Sequence, residues 1–130
     1  MNDEQKKQVV GLCEADKSIG LLYLFGSRAR GDVGPMSDYD FAVQFEGLAE
    51  KEHFDKKLDM MGKLSHILKT DAVDLVVLNT LDKPELKFGI VYDGQIVFER
   101  GAGRLSVEPA ALREYFDFRS ALLRFNLTRA

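Results

Sequence analysis

The chain has 130 residues, 45% of them apolar and 30% charged, a length and balance that suit one globular domain spanning residues 1–130 and exclude a disordered polymer. Its net charge of −3 argues against a sequence-independent nucleic-acid binder, so no direct nucleic-acid contact is expected. The single Cys13 excludes an internal disulfide framework and any multi-cysteine metal site. No apolar run approaches the roughly 20 residues of a membrane span, and the charged start MNDEQKKQVV lacks a secretory signal's apolar stretch. A cytoplasmic protein with no membrane contact is the expectation. The charge is uneven: residues 100–130 hold six Arg against three acids, while the rest holds twelve Lys and Arg against eighteen. That basic tail is either a solvated helix face or a surface for an acidic partner.

In chain order, Val9, Leu12 and Cys13 fall at helical spacing between Asp3 and Asp16 and predict an amphipathic helix. Ile19 to Phe25 is short, branched and aromatic, which predicts a buried strand ended by Gly26-Ser27. Residues 28–37, with Gly31, Gly34 and Pro35, predict a loop or a single helical turn. Tyr39 to Phe45 predicts a second strand. Leu48 to Thr70 predicts a long helix, with Phe54, Leu58, Met61, Leu64 and Leu68 as its inner face and His53 and His66 as surface or boundary residues. Val73 to Leu78 is almost wholly branched and predicts a central strand. Asp82 as N-cap and Pro84 start a helix with Leu86, Ile90 and Val91 inward, ended by Gly94, with a strand after it; a hairpin around Asp93-Gly94 competes. Val107 to Phe125 predicts a last helix with Pro109 in its first turn. The fold class is α+β.

Three features carry chemistry. A Gly-Ser step at a strand end can turn sharply, bring backbone N–H groups close to a ligand and cradle phosphate oxygens. Gly26 and Ser27 are therefore candidate nucleotide-phosphate ligands, with Arg28 and Arg30 in reach to counter the charge. Asp38 and Asp40, two apart at a strand start, share one face, where their charges repel unless a cation lies between them. All-oxygen ligands suit Mg²⁺ or Mn²⁺. Asp74 interrupts an apolar strand, where burial would be costly unless the charge is paired or metal-bound. If its strand lies beside that of Asp40, three carboxylates face one pocket and can hold two divalent ions for phosphoryl displacement. The plainer reading is a strand-entry acid near solvent.

The residues GSRARG at 26–31, SDYDFAV at 37–43 and VDLVVL at 73–78, with ten residues between Ser27 and Asp38, resemble the minimal nucleotidyltransferases of the DNA polymerase beta superfamily. The likeness spans about residues 9–100. It implies a polymerase-beta-like fold, a small mixed sheet with helices packed mainly on one face and a C-terminal helix at about 107–126. It also implies catalytic and metal-holding roles for Asp38, Asp40 and Asp74, and ATP as substrate. Proteins with this short core are similar to antitoxins that transfer AMP from ATP to a tyrosine of a HEPN-type ribonuclease toxin. Two alternatives stay open: a nucleotidyltransferase acting on a small-molecule hydroxyl, and a catalytically silent binding antitoxin. In the last helix Tyr115, Phe118, Leu122 and Phe125, with Arg119 and Arg124 at the rim, are the candidate surface for a partner or a second copy, and Leu112, Phe116 and Leu123 form an adjoining stripe.

Overall fold

The computed structural model describes residues 1–30 and 38–125, and for Arg30 the backbone alone. The elements run α1 (Asp3–Ala15), β1 (Ile19–Phe25), α2 (Ser27–Arg30), β2 (Tyr39–Phe45), α3 (His53–Leu68), β3 (Val73–Val77), α4 (Pro84–Asp93), β4 (Gln95–Glu99) and α5 (Gly103–Arg124). The strands form one mixed sheet in the order β3-β2-β1-β4. β2 and β3 are parallel, and β1 runs antiparallel to both its neighbours. Helix then strand, not a hairpin, occupies residues 84–99.

Strand alternation divides the core in two. Leu22, Leu24, Tyr39, Phe41, Val43 and Leu75 face α1 and α3 and meet Val9, Cys13, Met60, Leu64 and Leu68. Leu21, Tyr23 and Ala42 face the other way and meet Ile90 of α4 and Val107 of α5. The larger core is thus on one face, as expected, but the second face carries more cover than the sequence suggested. Its anchor is Tyr23, whose hydroxyl donates to Glu108 Oε1 at 2.8 Å.

Several expectations are corrected. α3 starts at His53 after a 3₁₀ turn at Glu50–Glu52, so its inward stripe is His53, Met60, Leu64 and Leu68. Phe54 and Leu58 stand one residue out of phase with that stripe and are 65% and 51% exposed. His53 is buried against Phe45, its Nε2 3.2 Å from the Leu48 carbonyl oxygen, whereas His66 is exposed. β3 is an edge strand, not a central one; its branched residues pack on α3 and on the second core. The N-cap of α4 is Lys83 rather than Asp82, and Leu86 lies at the surface. α5 begins at Gly103, four residues early, which puts Pro109 inside the helix, where it has no N–H for the Leu105 carbonyl.

Candidate functional site

β1 stops because Gly26 turns with φ +76°, a conformation that favours glycine. Phe25, the residue before it, is the register partner of Asp40 in β2. Across β2, Asp40 is the register partner of Asp74 in β3, so both carboxylates project from the same face of adjacent strands. The register is pinned just below by Tyr39 N–H, which donates to the Ala72 carbonyl at 2.8 Å. The turn and the acids are in direct contact: a Cβ at Gly26 would stand 2.5 Å from Asp40 Oδ2. Glycine is required here as much by the Asp40 carboxylate as by any ligand.

The electrostatics report the same convergence. Partial burial, then the Asp74 carboxylate, then that of Asp38, hold the Asp40 carboxyl above the ordinary aspartate range. Asp38 and Asp74 are exposed, so the costly buried charge expected at Asp74 is not there. Asp74 sits at the open edge of the sheet, and its Oδ1 accepts a 2.9 Å hydrogen bond from Leu75 N–H. Among the described residues no three His, Cys, Asp or Glu side chains gather closely enough to form a ready metal cage. The donor set nevertheless suits a hard divalent cation: the carboxylates carry only oxygen donors and their mutual repulsion is what such an ion would relieve.

Ser27 opens α2, a single turn. Arg28 lays its guanidinium carbon 3.9 Å from the centroid of the Tyr39 ring. The Arg30 side chain lies outside the described residues. The turn is tied to the far strand by Gln95 Nε2, which donates to the Ala29 carbonyl at 2.8 Å. Neither Tyr39 nor Gln95 carries a sequence signal for these roles, since each depends on a pairing made only in the fold.

The six residues proposed as a partner surface, Arg124 among the exposed ones, divide. Tyr115 is half-buried and stacks on Phe88 at 4.2 Å; Phe118 and Leu122 are also half-buried, and Phe118 lines a groove with Pro84 and Leu86. Arg119 and Phe125 are exposed. The adjoining stripe is the outward one: Leu112, Phe116 and Leu123 are 44%, 52% and 54% exposed.

Similarity to known proteins follows this geometry. Over 89 residues the chain is 34% identical to a protein adenylyltransferase MntA of Aphanizomenon flos-aquae, a match that takes in 61% of this chain and 56% of that protein. A crystal structure of a toxin–antitoxin with AMP-PNP aligns at a TM-score of 0.75 and 22% identity, covering 92% of this chain and 94% of the other. A structure of a tri-AMPylated Shewanella oneidensis HEPN toxin in complex with its MNT antitoxin aligns at 0.71 and 20%, covering 96% and 95%. At those identities the structural likeness is one of fold. Because the family model for polymerase beta nucleotidyltransferases matches residues 7–102, a span that holds the Gly26 corner and all three acids, the chain belongs to that family.

Proposed function

We propose that this chain is a cytoplasmic protein adenylyltransferase that moves AMP from ATP, with Mg²⁺ or Mn²⁺, onto a tyrosine hydroxyl of a HEPN-type toxin and so acts as its antitoxin. The observation that carries the reading is the pairing of Asp40 with Asp74 beside the Gly26 corner. The relative named as a protein adenylyltransferase, and the fold shared with antitoxins, support it.

In this reading Gly26 and Ser27 bind the β- and γ-phosphates, and Asp38, Asp40 and Asp74 hold the divalent ions. Bound cations supply charge neutralisation on the phosphates and lower the cost of ionising the acceptor. The acceptor oxygen forms a bond to the α-phosphorus, the bond from that phosphorus to the bridging oxygen of the β-phosphate breaks, and pyrophosphate leaves. Asp74, at the open edge, receives the acceptor proton. Exposure of Asp38 and Asp74 favours a macromolecular acceptor over a small one, which needs an enclosing pocket. The partner seats on the outer stripe of α5, Leu112, Phe116 and Leu123, with Arg119 between the last two on the same face and Phe125 just past the helix end; Tyr115, Phe118 and Leu122 support that stripe from the α4 side.

Labelled ATP incubated with the toxin and either the wild-type chain or the Asp38→Asn/Asp40→Asn variant tests this. Loss of label transfer together with loss of toxin neutralisation is expected. Neutralisation by the double variant at wild-type level would overturn the catalytic reading in favour of a silent binder.

A further inference from the structure

Four residues make one helical turn, which is unfavourable in isolation because nucleation fixes several dihedrals for a single hydrogen bond. α2 therefore needs tertiary tethers to present Ser27 at a defined place, and these include the Gln95–Ala29 hydrogen bond, the packing of Ala29 on the larger core and the Arg28–Tyr39 stack. The Tyr39 ring is a fixed platform. It is 7% exposed, lies near-parallel to Phe41 at 6.3 Å and 12°, and its backbone is bonded to Ala72 of the β3 approach. Tyr39 also stands between Asp38 and Asp40. Alternation along β2 sends its ring to the α3 face and the Asp40 carboxylate to the opposite one. A guanidinium laid on that ring is thus directed to the other side of β2 from the Asp40 carboxylate.

We infer that Arg28 is a positioning residue and not a phosphate ligand: its contact with the Tyr39 ring fixes the Gly26-Ser27 turn relative to the strand that carries Asp38 and Asp40. The inference rests on the proposed cation and nucleotide site, and one control separates the two. Mn²⁺ binding, and ATP binding in the presence of Mn²⁺, are measured by calorimetry for the wild type, Asp38→Asn/Asp40→Asn, Arg28→Met, Tyr39→Leu, Tyr39→Phe and the Arg28→Met/Tyr39→Leu pair, with melting temperatures alongside. If the wild type binds Mn²⁺ no better than the double Asn variant, the site reading itself fails.

If the wild type does bind, the turn's displacement weakens ATP binding in the presence of Mn²⁺ about tenfold in Arg28→Met and equally in Tyr39→Leu. Tyr39→Phe, which keeps the ring, stays near wild type. The paired variant is no worse than either single one, because both remove the same contact. Transfer activity falls about 10- to 100-fold through kcat. Arg28→Met that loses affinity for ATP while Tyr39→Leu keeps it overturns the inference and makes Arg28 a phosphate ligand. So do losses that multiply in the paired variant. If Tyr39→Leu melts too low to use, Arg28→Lys decides, because it keeps the charge but not the planar stack: ATP affinity as low as in Arg28→Met supports the inference, and affinity restored to wild type overturns it.

Discussion

Replacing Asp40 with Asn should make the metal-free protein more stable while removing its activity. Adjacent strands lie about 4.8 Å apart, and Asp40 and Asp74 are register partners with side chains on one face. Two unit charges about 5 Å apart repel by roughly 3 kcal/mol at an effective dielectric of about 20. Asp74 and Asp38 are exposed, so solvent screening brings the net effect to about 1 kcal/mol. The sign follows from the raised Asp40 carboxyl. The folded chain holds that proton more tightly than the unfolded chain, so stability declines as pH rises from the ordinary aspartate value through the folded one. Asp40→Asn lacks this decline. In EDTA at pH 7 its melting temperature should exceed the wild type's by about 3–5 °C, and the gap should close as pH falls well below the ordinary aspartate value, where Asp40 is protonated in both states. Adding Mn²⁺ should raise the wild-type melting temperature and leave the variant unmoved. A variant that melts at or below the wild type at pH 7 without metal would refute the electrostatic account of the site.

Gly26→Ala meets both a positive φ and the Asp40 carboxylate; calorimetric unfolding should show a loss of about 1–2 kcal/mol, and AMP transfer should fall more than tenfold. Lys56→Met breaks the 2.8 Å pair with Asp16. Partial burial works to raise the Asp16 carboxyl, but the hydrogen bonds from Lys56 and Ser18 outweigh it and lower it to about 2. The pair's contribution, about 1 kcal/mol, should therefore be present above pH 4 and vanish between pH 4 and pH 2, read as the difference between wild-type and variant denaturation midpoints. Leu112→Ser with Phe116→Asp changes exposed positions, so melting should be unchanged while co-purification with the proposed HEPN-type partner is lost; a complex that survives gel filtration removes that face from consideration.

Chemistry was more legible in the sequence than packing. The strand bounds Ile19–Phe25 and Tyr39–Phe45 read directly, because short branched and aromatic runs ended by Gly or entered by Asp leave few alternatives. The adjacency of Asp40 and Asp74 was inferable only as a condition, since parallel pairing of β2 and β3 is set by how α3 crosses the sheet. The α3 stripe differs from the sequence reading because Phe54 and Leu58 are apolar enough to pass for core, and only the packing of Met60, Leu64 and Leu68 on the sheet fixes the phase that turns them outward. Likewise α5 offers two apolar stripes, and the one with Leu112, Phe116 and Leu123 is the more exposed. Tyr115 is drawn in by the ring of Phe88, and Lys87 reaches Glu114 at 3.1 Å beside it, a pair of contacts invisible until α4 is placed.

On the proposed function, the edge position of β3 bears on how an acceptor would be chosen. A central strand there would have closed the site on both sides and buried Asp74, leaving selection to a pocket. At the edge, Asp74 is open to solvent and a side chain projecting from another protein can approach it laterally. An open site of this kind discriminates weakly by itself, so selectivity falls to surface held at a fixed distance from the acids. α5 meets that need: Gly103 packs on Gly20 at the start of β1, Glu108 holds Tyr23, and Glu114 holds Lys87, so its outer stripe is rigidly referred to the strand that ends in Gly26. Binding energy gathered along that stripe would orient an acceptor tyrosine that the site cannot recognise alone.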